Sequence, residues 1–380
     1  MKKLILLLSL FSLIFYNYQF TYSQEFSFTA MSDSRGNYDG VNKPVLSKLI
    51  NHMLENQKDV KFLFFVGDMI DGSKKSDGTT LKQLENWKQI MEPVYSSSFL
   101  IKPKIYPVIG NHEVQNPIAE NVFREVFNLF VSNGPEDEKG LTGSFDYENV
   151  HFVYLDTERW YYGNPSDPSD DRRDWHTYHH FDWLKNDLKE ARERKVRYIF
   201  VLAHEMPFPV GGHLHDGLPN LTKELTLPLD STRQWYLNQR DSLWNLFVQY
   251  DVTAFISGHE HLYARQSVDG IYQIVAGSSG APLYGFNPVY SDEPDVKKPL
   301  EEMSYTKAKK YYQVLGYNYG PGKNSQRSED FVGIRAFHYV KFNVKKDKIV
   351  VQMFGAQPKK GTDNVMGGKI RLLDEFEITK

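Results

Sequence analysis

The sequence predicts an α/β layered fold, and three observations predict it. Short, nearly continuous apolar runs alternate along the chain with stretches whose apolar residues recur at helical spacing. The runs read as strands that carry side chains into a core on both faces of a sheet. Polar residues gather where the runs end, and open α/β sheets bind ligands beyond the carboxyl ends of their strands.

In chain order, FSFTAM from Phe26 reads as a strand, followed after Pro44 by Val45, Leu46, Leu49, Ile50, Met53 and Leu54, the spacing of one buried helix face. VKFLFFVGD is a second strand-like run ending in Gly-Asp, and KIYPVIGNHE a third ending in Gly-Asn-His. VHFVYLD, VRYIFVLAHE, VTAFISGHEH and IYQIVAG repeat the theme. Helices are expected around Leu81 to Met91, Val122 to Phe130, Phe181 to Arg194 and Gln234 to Tyr250, with ERKVR as the solvated end of the third. HYVKFNVKKDKIVVQMF alternates like a hairpin that completes a sheet. Two stretches break the regularity, at about 159–180 and 284–330, and read as surface insertions in a single domain spanning 24–380. The aromatic tracts RWYY and DWHTYHH in the first could stack on a ring or simply pack.

The 380 residues, 41% hydrophobic and 24% charged, suffice for a large core. The net charge of -3 has no dominant block, which argues against a nucleic-acid duplex or an anionic membrane as partner. Cysteine is absent, so disulfides, thiolate ligands and a cysteine nucleophile are excluded. At the amino end, two lysines, an apolar run from Leu4 to about Tyr16, and Thr21 and Ser23 before Gln24 read as a signal peptide over 1–23. The run falls short of the roughly 20 residues that span a bilayer, so the expectation is a secreted or periplasmic protein without a stable anchor.

Asp33, Asp68, Asn111, His204, His259 and His261 each stand at or just after the end of a strand-like run, and all offer the oxygen or nitrogen donors that divalent metals prefer. In their motifs SDSRG, GDMID, GNHE, AHEMP and GHEH, with VYLDT and GSSGAP in support, the chain from about Phe26 to Leu283 resembles the calcineurin-like metallophosphoesterase superfamily, including its purple acid phosphatase-like members. The resemblance implies a four-layer αββα sandwich of two mixed β-sheets flanked by helices. It implies a metal-dependent hydrolase of phosphoric monoesters or diesters in which metal-bound hydroxide attacks phosphorus in line. Two ions (Mn, Fe or Zn) roughly 3.5–4 Å apart are implied. Asp68 would bridge them, Asn111, His204 and His259 would complete one site, and Asp33 with His261 would hold the other.

By the same resemblance His112 is the general acid at the leaving oxygen, and Asp71 is the carboxylate that orients it, with a plain turn before Gly72 as the alternative. Asp71 also takes the place where purple acid phosphatases carry their iron-binding tyrosine. Arg35 stands where the family commonly has a histidine. A guanidinium has no free lone pair and cannot ligate a metal, so Arg35 is expected to clamp phosphate or a carboxylate beside a weakened metal site. The alternative is that Arg35 points into solvent or pairs with a loop carboxylate such as Asp39. His213 and His215 could reach substrate phosphate or a metal, or be solvated in their glycine loop. Ser278 and Ser279 do not make a nucleophile elbow, because Ala281 replaces the last glycine of G-x-S-x-G. The rival function is a secreted, non-catalytic metal- or ligand-binding protein on the same scaffold. The substrate is expected to be a small phosphate ester, and neither its identity nor an oligomeric state is legible.

Overall fold

The structure is a computed structural model that describes residues 25–128, 133–158, 180–208, 240–284, 325–327 and 331–380. The expected signal segment, His213, His215 and most of both insertions lie outside these residues. Two mixed sheets dominate. The first runs in the order β16-β15-β14-β1-β4-β5, where β1 is Phe26–Met31, β4 Val60–Val66, β5 Ile105–Val108, β14 Phe337–Val344, β15 Lys348–Ala356 and β16 Arg371–Thr379. The second runs β12-β13-β10-β11-β9-β8-β7-β6, where β6 is Gly143–Tyr147, β7 Val150–Leu155, β8 Tyr198–Ala203, β9 Ala254–Ser257, β10 Tyr263–Val268, β11 Ile271–Ala276, β12 Ser325–Arg327 and β13 Phe331–Ile334. A small hairpin pairs β2, Arg35–Gly36, with β3, Gly40–Val41.

Three buried clusters define the layers. Between the sheets lie Phe28, Phe62 and Phe342 of the first against Phe152 and Phe200 of the second. Phe28 stacks on Phe342 at 4.6 Å and meets Phe152 edge-on at 5.1 Å, the favoured geometries for ring quadrupoles. On the outer face of the first sheet, Met31, Leu63 and Phe65 pack beneath helix Lys43–Asn56 and helix Thr79–Ile90. On the outer face of the second, Val153, Ile199 and Val201 pack beneath helix Phe181–Glu193 and the helical residues 240–249. Strand periodicity explains the division, because successive side chains point to opposite faces. The expected αββα sandwich is thus the observed architecture. Helix Ala119–Phe127 starts three residues before the expected boundary and ends three before it.

In both sheets the central strands are parallel, β1 with β4 and β4 with β5, and β7 with β8, β8 with β9 and β9 with β11. Their carboxyl ends therefore open on common edges, which is where the polar motifs fall. Asn42 precedes helix Lys43–Asn56 without capping it. Its Nδ2 donates instead to the carbonyls of Gly280 at 2.6 Å and Asn364 at 3.0 Å, tying two distant loops together.

The ERKVR segment is not simply solvated. Arg194 Nε donates to Asp146 Oδ2 at 2.7 Å, and Asp146 with Asp187 brackets the buried His151 at 2.6 and 2.8 Å. Ser144 Oγ donates to the other oxygen of Asp187. Burial opposes charge on His151, but the bonds to Asp146 and Asp187 raise its pKa above the ordinary 6.5. Burial likewise opposes the Asp146 charge, yet His151 and Arg194 hold that carboxyl down to about 2. A raised histidine stabilises fully below its unfolded pKa and loses that contribution as pH rises through the folded value; a depressed carboxyl stabilises above its unfolded pKa and loses it as pH falls. The cluster therefore contributes most between about pH 4 and 6.5. His151→Gln should lower the unfolding temperature more at pH 5.5 than at pH 8.5, and an equal loss at both would refute the charged state of His151.

Candidate metal centre and active site

Each candidate donor is delivered by a strand end. Asp33 follows β1, Asp68 follows β4, Asn111 follows β5, His204 directly follows β8, and His259 and His261 follow β9. Asp33, Asp68 and His259 have positive φ of 56°, 51° and 66°. Non-glycine residues take that region only when their surroundings hold them there, and such strain gathers at functional sites. Gly67 shares the left-handed region at φ 79°, and a Cβ on it would collide with the His204 ring, so the turn between β4 and Asp68 requires glycine.

Three of the donors converge in one group, and the others stand beside it. One ligand atom each from Asp33, Asp68 and His261 lie within 4.8 Å of one another, all buried. His204 Nε2 lies 3.1 Å from Asn111 Oδ1 and 3.3 Å from Asp68 Oδ1, and the His204 and His259 rings are 5.1 Å apart. Asp68 links the first group to His204, while the His259 imidazole is placed against the His204 ring. The backbone N–H groups of His112 and His259 donate to Asp68 Oδ1 and Asp33 Oδ2, each at 3.0 Å, fixing both carboxylates.

The imidazoles are oriented from behind. His204 Nδ1 faces the Val66 carbonyl at 2.8 Å and His261 Nδ1 the Pro282 carbonyl at 2.7 Å, which places the proton on Nδ1 and leaves Nε2 as a donor of electrons toward the centre. Asp33 Oδ1 is buried without a hydrogen-bond partner, 3.4 Å from His261 Nε2. Such a set fits divalent cations: it leaves carboxylate and imidazole lone pairs facing one small volume. Electrostatics reflect the crowding. Burial opposes the Asp68 charge, but His112, His204 and Arg35 hold its pKa well below the usual carboxylate range. Burial also opposes charge on His204, which Asp68 nevertheless raises well above the ordinary value, whereas burial lowers His261.

His112 stands at the rim with its side chain 18% exposed and Nε2 3.8 Å from Asp68 Oδ2. The expected pairing with the Asp71 carboxylate does not form. His112 Nδ1 donates instead to the Asp71 backbone carbonyl at 2.7 Å, because the turn after Asp68 directs that carbonyl inward and the carboxylate outward, 56% exposed. Arg35 does not pair with Asp39, which Lys82 engages at 3.3 Å. Its Nε lies 3.8 Å from Asp68 Oδ2 and its Nη1 3.5 Å from Asp71 Oδ1, and Nε is buried without a hydrogen-bond acceptor. Ser278 and Ser279 are buried with their hydroxyls turned to the Ala281 and His338 carbonyls, which removes them as nucleophiles.

Three contributors escape a reading of the sequence. Glu113, within GNHE but between better-known donors, is fully buried and accepts from the backbone N–H groups of Gly110, Asp68, Met69 and Ile70 at 2.8 to 3.2 Å. Burial and the Asp68 charge push its pKa up, against those donors, which favour the ionised carboxylate. Tyr284 stacks on His261 at 4.1 Å. Glu158 is buried within electrostatic reach of His204, and burial and Glu205 raise its pKa well above the ordinary value. The GNHE motif could have signalled Glu113; nothing local marks the other two.

A sequence profile of the family described as calcineurin-like phosphoesterase matches residues 26–263. A human protein, acid phosphatase type 7, is 23% identical over 201 residues, covering 52% of this chain and 40% of that protein. The chain thus spans less than half the length of this relative. Among solved structures, purple acid phosphatase PPD1 from yellow lupin (Lupinus luteus) seeds superposes with a TM-score of 0.56 at 13% identity, covering 94% of this chain and 54% of that one. The structure of PhoD gives 0.55 at 15%, covering 94% and 70%. At such identities the likeness is one of fold.

Proposed function

The chain belongs to the calcineurin-like phosphoesterase family, and on that premise we propose that it is a metal-dependent hydrolase of small phosphoric esters. The observation that carries this reading is the convergence of Asp33, Asp68 and His261, with His204 and Asn111 adjoining at Asp68 and the His259 ring beside that of His204. Asp33, Asp68 and His261 would hold one ion; Asp68, Asn111, His204 and His259 would hold the second, with Mn, Fe or Zn suited to mixed oxygen and nitrogen donors. When bound, such ions supply Lewis acidity toward phosphoryl oxygens and lower the pKa of water.

The chain's own residues supply the rest. Arg35 offers a permanent positive charge and a buried Nε–H without an acceptor beside Asp68, a donor that a phosphoryl oxygen would satisfy. His112, fixed at Nδ1 by the Asp71 carbonyl, keeps Nε2 directed to the centre, where in its protonated form it can give a proton to the leaving alkoxide. Glu113 holds the turn that carries Asp68. The apolar run and small residues before Gln24 support export with cleavage near Ser23. No helix among the described residues is long and apolar enough to cross a membrane.

Arg35 also supports a second reading. It leaves three protein donors at the Asp33 position, and a scaffold with that position empty could serve as a non-catalytic binding protein. One experiment separates the readings. Exported protein is dialysed, its metal content measured, and nitrophenol release followed from p-nitrophenyl phosphate and its bis-ester with added Mn, Fe or Zn. The expected results are metal-stimulated turnover, retention of nearer one than two equivalents, and higher retention in Arg35→His. No turnover with any ion would end the hydrolase reading; two equally tight equivalents in the unaltered protein would end the weak-site reading.

A further inference from the structure

A cleft of about 210 Å3 opens beside the centre, walled by hairpin β2–β3, the first turns of helix Lys43–Asn56, and the chain at Gly280, Pro282 and Asn364–Met366. Two residues join it to the centre. Arg35 lines the cleft and lies against Asp68, and Pro282 lines it while its carbonyl fixes His261 Nδ1. A phosphate held at Arg35 therefore has this space beside it for the remainder of the ester.

The lining has a definite chemistry. Among the described residues it contains two cations, Arg35 and Lys48, and no carboxylate, although the chain carries 48 acidic and 45 basic residues. Lys48 is exposed and pairs with no carboxylate among the described residues. Tyr38, 59% exposed, and Val365, 44% exposed, are two of the five large apolar side chains left open among the described residues, and both border this cleft. Isolated exposed apolar residues are ordinary, but two on the rim of one cleft with a cation inside it describe a binding surface. The walls are also held in place. Asn86 Nδ2 donates to the Tyr38 and Asp39 carbonyls, each at 3.1 Å, while Asn42 ties the loops at Gly280 and Asn364. The volume is below the roughly 300–1,000 Å3 of sites for drug-sized ligands, which suits one ring or a short chain.

We propose that this cleft receives the organic half of the ester, and that it selects small phosphate esters whose leaving group sets an apolar face against Tyr38 and Val365 and an anion, a carboxylate or second phosphate, against Lys48. The proposal rests on the phosphoesterase reading of the neighbouring centre. It is tested with metal-loaded protein on phenyl phosphate and 4-carboxyphenyl phosphate. The ratio of kcat/KM for 4-carboxyphenyl phosphate to that for phenyl phosphate, compared between proteins, cancels the intrinsic reactivity of the two leaving groups. That ratio should fall about fivefold in Lys48→Met and about tenfold in Lys48→Glu, as expected for an exposed ion pair and its reversal. An unchanged ratio in both variants would overturn the proposal. If neither ester is hydrolysed with any ion, the phosphoesterase reading falls, and calorimetry with benzylphosphonate and 4-(phosphonomethyl)benzoate decides the cleft separately. Tighter binding of the carboxylate-bearing probe, lost in Lys48→Glu, supports it; equal binding of the two refutes it.

Discussion

Replacing His112 by alanine should lower kcat on phenyl phosphate by about 10²–10⁴-fold while leaving the retained metal unchanged. The reason is positional. His112 ligates nothing in the donor groups, yet its Nε2 approaches Asp68 Oδ2 to 3.8 Å and its ring is fixed by the Asp71 carbonyl. A proton given to the leaving oxygen matters most when that oxygen is strongly basic, so the loss should be smaller with p-nitrophenyl phosphate than with phenyl phosphate. An equal loss on both esters, or metal loss that accounts for the whole effect, would show that His112 is structural. Because Nδ1 meets a backbone carbonyl, Asp71→Asn should leave this leaving-group dependence in place, whereas a carboxylate partner would have made it sensitive.

Glu113→Ala should cost about 3–5 kcal/mol of stability, seen as a lower denaturant midpoint, and should release metal. Its two oxygens satisfy the N–H groups of Gly110, Asp68, Met69 and Ile70 in a buried place. Removing the carboxylate leaves those donors without partners and frees the strained turn at Asp68, φ 51°. Each unsatisfied buried donor costs about 1–3 kcal/mol before water enters or the backbone relaxes. Glu113→Gln keeps the shape but turns one acceptor into a donor against these N–H groups, so it should be intermediate. A Glu113→Ala protein with wild-type stability and metal content would remove Glu113 from the support of the site.

Much of the fold was legible because it depends on short-range pattern. Phe26–Met31 and Val60–Val66 are apolar on both faces since both faces are covered, and Val45, Leu46, Leu49, Ile50 and Met53 repeat with the helical period because one face is. Strand β16, Arg371–Thr379, was not legible. It is an edge strand in which five of nine positions are exposed and a charged residue, Asp374, takes one of the two buried positions, which breaks the apolar alternation. Strand β12 lies inside the expected insertion at 284–330 for a related reason: three residues carry no periodicity.

The donors were legible for a different reason. A site built at the carboxyl ends of strands places each donor next to an apolar run, so Asp33, Asp68, Asn111, His204, His259 and His261 stand out one at a time along the chain. Their residue types and their attachment to strand ends are therefore properties of the sequence. What they do to one another is not. Whether Asp71 presents its carboxylate or its carbonyl to His112 is settled by the turn that Glu113 clamps from 43 to 45 residues away in the chain. Whether Arg35 meets Asp39 or Asp68 depends on the hairpin docking against helix Thr79–Ile90, where Lys82 takes Asp39. The stacking of Tyr284 on His261, and the cleft shared by Lys48 and Val365, join segments far apart in sequence. Local pattern encodes which face of an element is buried, because that is set by the period of the backbone. Contacts between loops are decided only by the packing of the two sheets and their helices, since a loop has no period of its own and takes its direction from the elements that hold its ends.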